Sequence, residues 1–319
     1  MTTICVSHGE DADGLICAAI LRHLKNASSL LVTYDDFGDL LKSIQPPTEE
    51  LYICDLNIRE DLLGEIIRIS DFARITVIDH HPTTFRVLER LKKSGIDVIH
   101  SLLDCASALL YEHFRCELGS EAARLAAYAA ISDQFEDGPI ASELLSRLDR
   151  QLVQHEAMIL THALHRKTND EFRSVVVDEL SNFTFPHIID GAVEEALAYL
   201  DQIAELLKIL PTRATKMGKL AYVSTTDEMS IGAVAGLLVD AMGVDVGICY
   251  KKGGKNNINI SLRSRRGLQI HLGEVTRSLA ERYGGFGGGH ERASGASIPI
   301  ENPIEFIKSL KKELFTKKV

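Results

Sequence analysis

ARITVIDHHPTTFRVLERLKKSGIDVIH, residues 73–100, decides the fold. A β-branched apolar run leads into Asp79, His80 and His81, and Pro82 breaks it. The segment TTFRVLERLKKSG reads as a helix, and IDVIH (96–100) as a short strand. Strand, helix and strand in that order make a βαβ unit, which places both strands in one parallel sheet. A buried strand that ends in one carboxylate and two imidazoles could simply be entering a polar turn. It could equally hold a metal ion and whatever that ion binds. The run alone leaves both readings open.

Working outward, the pattern repeats. TTICVSH (2–8), SLLVTYD (29–35) and ELYICDLN (50–57) read as strands. GLICAAILRHLK (14–25) and REDLLGEIIRISD read as the helices between them. In a parallel α/β sheet, ligands collect beyond the carboxyl ends of the strands. His8, Asp55 and Asp79 to His81 all fall at such ends. From about 104 to 210 the chain is mostly helical, with Asp104 expected to cap the helix DCASALLYEHFRCEL. DGAVEEALAYLDQIAELLKIL (190–210) is a long amphipathic helix that Pro211 is expected to stop. Strands and helices alternate again from 212. KLAYVSTT is a strand, SIGAVAGLLVDAM a helix, and VDVGICYKKGGKNNINISLRSR a strand pair around a Gly-Lys-Asn turn. A helix IHLGEVTRSLAERYG, a strand SGASIPI and a final helix IEFIKSLKKELF follow. The expected organisation is therefore α/β, in two domains. Residues 1–189 form a parallel-sheet catalytic domain with a helical extension. Residues 190–211 connect it to a smaller α/β substrate domain at 212–319.

Composition bounds the function. The chain has 319 residues, 45% of them hydrophobic, and a mean hydropathy near zero, as ordinary globular proteins do. No apolar run approaches the ~18 residues that a membrane span needs. No basic segment precedes an apolar one at the N-terminus, so no secretory signal is expected. The six cysteines are scattered and never spaced CxxC. They read as reduced, buried small hydrophobes in a cytoplasmic protein. A net charge of −10 argues against a protein that coats duplex nucleic acid. The window 251–292 nevertheless carries nine Lys/Arg against three acids, which suits an anionic substrate held at one place.

In SHGEDADG (7–14), His8, Asp11 and Asp13 lie on a short loop between a strand and a helix. Each acid could merely cap that helix. Adding Asp55 from ICDLN, Asp79 and His80 from IDHH, and Asp133 from AISDQF changes the balance, because four separate segments then end in the same chemistry. A mixed Asp/His set without cysteine favours octahedral Mn²⁺, or Mg²⁺ or Co²⁺, over structural zinc. About six such ligands suit two ions with one carboxylate between them. Paired ions roughly 3.5–4 Å apart recur in phosphoryl displacement. Toward the other end, YGGFGGGHERASGAS (283–297) has five glycines among residues 284–289, then His290 and Arg292. It reads as a loop, too glycine-rich for a strand or a helix, whose amides can approach an anion. Arg263 and Arg265 alternate along a strand and are expected to share a face, where guanidinium forks suit phosphate oxygens.

Taken together, SHGEDADG, YICDLN, VIDHH, AISDQ and GGFGGGHERASG resemble the DHH phosphoesterase family with a C-terminal DHHA1 domain, including RecJ-like and NrnA-like nucleases. The resemblance implies that His8, Asp11 and Asp55 hold one Mn²⁺. It implies that Asp13, Asp55, His80 and Asp133 hold the other, with Asp55 bridging. His81 would contact the scissile phosphate, and Asp79 would orient a histidine. His290 and Arg263, helped by Arg265, would grip substrate phosphate, with the amides of Gly287, Gly288 and Gly289 against the nucleotide end. The first motif departs in spacing, with two residues rather than three between His8 and Asp11. The implied site is a cleft between the two domains. A grip on a chain end implies hydrolysis of single-stranded DNA or RNA, or of short oligonucleotides, from one end to nucleoside 5′-monophosphates, by family analogy 3′→5′. Few aromatics lie near the basic segment, so a long stacking track is not expected. The alternatives are a pAp phosphatase, a linear or cyclic dinucleotide phosphodiesterase, and a non-catalytic nucleic-acid-binding module. A homodimer and a DNA repair or replication partner are compatible with the resemblance.

Overall fold

A computed structural model describes residues 2–225, 229–254, 257–299 and 303–315. Two compact units divide at Leu200 and Asp201, inside a long helix.

The first unit is built on five parallel strands, β1 (Thr3–His8), β2 (Ser28–Val32), β3 (Glu50–Cys54), β4 (Arg74–Asp79) and β5 (Asp97–His100), in the order β2-β1-β3-β4-β5. Helices α1 (Ala12–Lys25), α2 (Phe37–Ser43), α3 (Leu63–Ser70) and α4 (Phe85–Lys93) connect them. Then come α5 (Ala106–His113), α6 (Ser120–Ser132), α7 (Pro139–Ser146), α8 (Arg150–Arg166), α9 (Asp170–Ser181) and α10 (Ala192–Arg213). Side chains alternate across the sheet, so Leu51 and Ile53 pack with α2, α3 and α4, while Tyr52 and Cys54 face α1, α5 and α6. Both faces are covered, which is why these strands read as continuous apolar runs. The chain leaves β1 toward β2 on one side and returns to β3 on the other. The β1/β3 boundary is thus the point where strand order reverses, and there a doubly wound sheet opens a crevice.

Glycine is required where α1 meets β1. A Cβ on Gly14 would stand 2.0 Å from the His8 carbonyl oxygen, far inside van der Waals contact. The close approach brings the first turn of α1 against the tip of β1.

The second unit is a six-stranded mixed sheet in the order β10-β11-β9-β8-β7-β6. Its elements are β6 (Thr215–Met217), β7 (Leu220–Ser224), α11 (Ile231–Met242), β8 (Val246–Lys252), β9 (Ile258–Ser264), α12 (Leu272–Arg282), β10 (Phe286–Gly289), β11 (Ala293–Ile298) and α13 (Pro303–Phe315). Ile258, Ile260 and Leu262 of β9 pack with Leu272, Leu279, Phe306 and Leu310 of α12 and α13. No helix among the described residues is long and apolar enough to cross a membrane.

Three local expectations need correction. Asp104 does not cap α5. Its carboxylate accepts from the amides of Ile140 (3.1 Å) and Ala141 (2.9 Å) at the start of α7, and Asp13 caps α5 instead. Pro211 does not stop α10, which runs on to Arg213. So near the end of a helix, proline forfeits little of the ladder, and Ala214 still donates to Leu210 at 2.8 Å. The glycine run is not all loop, because Phe286–Gly289 pairs antiparallel with β11. Its lack of side chains is used for packing: a Cβ on Gly273 of α12 would stand 2.0 Å from the Gly289 carbonyl oxygen. Lys255 and Asn256 of the expected Gly-Lys-Asn turn lie outside the described residues.

Candidate functional site

His8 ends β1, Asp55 follows β3, Asp79 ends β4, and His80 and His81 come next, so the sheet delivers all five to one edge. Asp11 is the N-cap of α1, and its Oδ1 accepts from the Gly14 amide at 3.2 Å. Asp13 lies in the first turn of α1, and Asp133 follows the last turn of α6. The helix-capping role and the metal-ligand pattern are thus served by the same acids.

Three ligand groups form within this edge: His8, Asp11 and Asp55; Asp13, His80 and Asp133; and Asp55, His80 and His81, each with ligand atoms within 4.8 Å of one another. Asp55 joins the first group to the histidine pair. Its Oδ2 stands 3.8 Å from His8 Nδ1, and its Oδ1 3.1 Å from His80 Nε2. His80 Nε2 also lies 3.3 Å from Asp133 Oδ2 and 3.9 Å from Asp13 Oδ2. Asp13 is fixed by the start of α5, where the Ala106 and Ser107 amides each donate to its carboxylate at 2.8 Å. Asp55 is held in the left-handed region at φ 57°, which few residues other than glycine, asparagine and aspartate tolerate. Gln134, beside Asp133, has φ 62°. Such outliers cluster where a site dictates backbone shape.

The electrostatics are those of a crowd of like charges. Asp13, Asp55, Asp79 and His80 are each at most 3% exposed. Burial, and then the carboxylates around them, push Asp55 and Asp133 well above the ordinary carboxyl range, and burial pushes Asp13 up as well. Burial lowers His8, but its hydrogen bond to Asp11 (2.8 Å) and the nearby Asp11 and Glu10 charges override this and raise it to about 10. Enclosure raises Asp11, and the His8 contact more than reverses it, leaving that carboxyl below its ordinary range. Oδ2 of Asp55, Asp79 and Asp133 is buried without a hydrogen-bond partner among the described residues. Buried acceptors in that state are costly unless a cation satisfies them.

One pH dependence follows. A cation bound at His8 must displace its proton, so affinity rises with pH throughout the range below 10. Mn²⁺ titrations at pH 6, 7 and 8 should show apparent affinity climbing by about tenfold per pH unit for each proton released. An affinity flat across this range would mean that His8 is not a ligand.

His81 is clamped from both ring nitrogens. Nδ1 meets Asp79 Oδ1 at 2.8 Å and Nε2 meets the Tyr34 hydroxyl at 3.1 Å. Its carbonyl oxygen accepts from His100 Nε2 at 2.7 Å. The Tyr34 ring also packs on His8, with centroids 5.1 Å apart, and the Phe135 ring meets His80 edge-on at 4.8 Å. Glu10 reaches His8 Nε2 at 3.4 Å. Tyr34, His100, Glu10 and Phe135 escaped the sequence reading. The available signal was position, since Tyr34 and His100 sit at or just beyond carboxyl ends of strands in this sheet.

The remaining candidates belong to the second unit. Arg263 lies on β9 beneath α11, where a Cβ on Gly232 would stand 2.6 Å from its Nη2. Burial lowers its pKa, and its Nη1 donates to the Leu262 carbonyl at 3.0 Å. Arg265 lies past the end of β9, and its Nε donates to Asp245 Oδ1 at 2.6 Å, so the two arginines are not strand neighbours of one kind. Gly287, Gly288 and Gly289 lie on β10. His290 is exposed at the turn after β10, its amide donating to the Ala293 carbonyl at 2.7 Å and its carbonyl accepting from Gly273 at 3.0 Å.

Residues 218–316 match the DHHA1 domain family. No curated protein sequence is similar enough to match. Among solved structures, the pGpG-specific phosphodiesterase PggH from Vibrio cholerae is 18% identical, with a TM-score of 0.61 over 99% of this chain and 100% of that one. RecJ from Thermus thermophilus, in complex with Mn²⁺, is 18% identical, with a TM-score of 0.68 over 99% of this chain and 52% of the RecJ chain. The chain therefore spans about half the length of that RecJ. A further exonuclease RecJ structure bound to manganese covers 100% of this chain and 91% of its own at 18% identity and a TM-score of 0.56. Residues 218–316 thus match the DHHA1 domain family, and over its whole length the chain shares the fold of PggH and of RecJ.

Proposed function

We propose that the chain is a Mn²⁺-dependent phosphodiesterase that hydrolyses single-stranded DNA or RNA, or short oligonucleotides, from one end (3′→5′) to nucleoside 5′-monophosphates. The observation that carries the reading is the shared ligand set: Asp55 belongs to two of the groups of metal-type ligands, and its Oδ2, like that of Asp133, is buried without a hydrogen-bond partner among the described residues. Hard carboxylate oxygens with imidazoles and no thiolate fit Mn²⁺, Mg²⁺ or Co²⁺. His8, Asp11 and Asp55 would hold one ion, and Asp13, Asp55, His80 and Asp133 the other. When bound, such a pair supplies Lewis-acid activation of water and neutralises charge on the phosphate under attack.

The protein's own side chains do the rest. His81, set by Asp79 and Tyr34, would contact the scissile phosphate and orient the ester. Asp79 keeps the proton on His81 Nδ1, which leaves Nε2 facing the Tyr34 hydroxyl. In the second unit, the buried Arg263 guanidinium and His290 grip phosphate, and the amides beside Gly287–Gly289 meet the nucleotide end. Arg265, tied to Asp245, plays a lesser part.

A dinucleotide such as pGpG is the second reading. PggH favours it, because that chain matches this one over the full length of both. A series of dinucleotide, 5-mer, 20-mer and pAp, at equal concentration with Mn²⁺, ranks the readings. The 5-mer should exceed pAp by about tenfold or more in kcat/KM, which is ~1.4 kcal/mol of differential transition-state binding. A steep preference for pAp would overturn the proposal. No hydrolysis of any member would point to a binding module instead.

A further inference from the structure

In the second unit, the sheet face that carries Arg263 extends along β9 and across β11 and β10. Residues paired in register point to the same side, so Phe286, Ser297 and Asn259 form one row across β10, β11 and β9. Gly288, Gly295 and Ser261 form the next row. The opposite face carries the apolar core of this unit. Arg263 stands on the same face as Asn259, four residues along β9, about 13 Å away. Helix α11 covers the Arg263 end, with Gly232 against the guanidinium, and the other end opens as a groove that Ile231 of α11 borders.

That end is a groove of about 570 Å³, of a size that holds a nucleotide-sized ligand. Ile231 forms an apolar wall, and Asn257, Asn259, Ser261 and Ser297 provide polar atoms. Asn257 Nδ2 donates to Ser297 Oγ at 3.3 Å, which fixes that amide. The glycines of the second row leave a flat floor. Phe286 is 71% exposed at the rim, unusual for a phenylalanine, and stands outside the apolar core of its unit. Among the described residues, no charged side chain lines the groove, so it suits an uncharged planar group and not a phosphate.

We propose that this groove is a nucleobase site in which Phe286 stacks on the ring and the Asn259 side-chain amide reads the edge of an adenine. The inference rests on the reading of the chain as a nuclease and names the base beside the phosphate that Arg263 holds. An asparagine amide presents one donor and one acceptor side by side, the complement of adenine N6 and N7. Guanine O6 and N7 ask for arginine or lysine, and cytosine N4 for a carboxylate. Among the described residues neither is in the groove's lining; Arg277, whose Nε would stand 3.9 Å from a Cβ on Gly288, lies beside it.

Isothermal titration of the metal-free protein with AMP, GMP, CMP and UMP tests the site without any turnover. AMP should bind about tenfold more tightly than the other three. Phe286→Ala should weaken AMP by about tenfold, the usual effect of losing one stacked base. Asn259→Ala should bring AMP and GMP to within about twofold of each other. Equal binding of the four nucleotides, a preference for GMP, or no change in Phe286→Ala would each overturn the assignment. Mn²⁺-dependent cleavage of 5-mers ending in A or C separates the two readings. A base preference in binding without cleavage of any oligomer removes the nuclease reading and leaves the base site standing. Cleavage with no ranking of bases in either assay removes the base site alone.

Discussion

Asp55→Asn protein, stripped of cations by a chelator, is expected to melt above the parent protein, and the order should reverse in saturating Mn²⁺. In the parent, a carboxyl about 1% exposed sits among Asp11, Asp13 and Asp133, and its Oδ2 has no hydrogen-bond partner among the described residues. Asparagine keeps the shape, removes the charge and tolerates φ 57° as readily. The unfolded chain releases the Asp55 proton near pH 3.9. The folded protein holds it to a higher pH, because burial and the neighbouring carboxylates raise the folded value. Raising pH through that window therefore favours unfolding, and the advantage of asparagine grows from about pH 4 upward. Relief of about 1–3 kcal/mol is the scale for an unsatisfied buried polar group, and each kcal/mol moves the melting temperature by roughly 2–4 °C in a unit of this size. Mn²⁺ at a thousand times its Kd would then stabilise the parent by about 4 kcal/mol and the variant by little. Calorimetry at pH 8 reads both halves. A variant that melts lower in chelator, or gains as much from Mn²⁺ as the parent, would remove Asp55 from the centre.

Asp79→Asn should cost about 10³-fold in kcat while Mn²⁺ binding stays within about twofold. Asp79 belongs to none of the three ligand groups found among the described residues, yet its Oδ1 is 2.8 Å from His81 Nδ1. A carboxylate there requires the proton to sit on Nδ1. An amide at the same place donates instead, which forces the other tautomer and turns the face toward Tyr34 the wrong way. Tyr34→Phe removes only the second clamp and should cost about tenfold. Steady-state kinetics on a 5-mer, paired with a Mn²⁺ titration of each variant, distinguishes positioning from ligation. Loss of Mn²⁺ binding in Asp79→Asn would make Asp79 a ligand. Full activity would take His81 out of the reaction.

Much of the first unit is legible in sequence because a parallel sheet covered on both faces forces long apolar runs, and the polar residues that interrupt them stand at strand ends. That logic finds His8, Asp55, Asp79, His80 and His81 without any homologue. It fails where an element is too short to show a period. Helix α2 buries only Phe37 and Leu41, and β6 is three residues at a sheet edge. It fails again at β10, because strand propensity is a statement about side chains and β10 is three-quarters glycine. Pairing with β11 and the close seat against Gly273 decide that segment, and neither is local. Tyr34 was hidden for a different reason, since one aromatic at a strand end looks like any other until its hydroxyl is seen against His81. Arg265 shows the converse: alternation with Arg263 suggested a shared face, but the strand ends one residue too soon.

Asp13 serves as both a centre carboxylate and the anchor of α5, whose first amides lie 93 and 94 residues downstream. Truncating it would therefore strand two backbone donors at a buried helix start, and the damage would surface as a folding defect before any chemistry could be read. Helix and centre share one fate through a single side chain, so the neighbours of Asp13, and not Asp13 itself, are the places to pull the two apart.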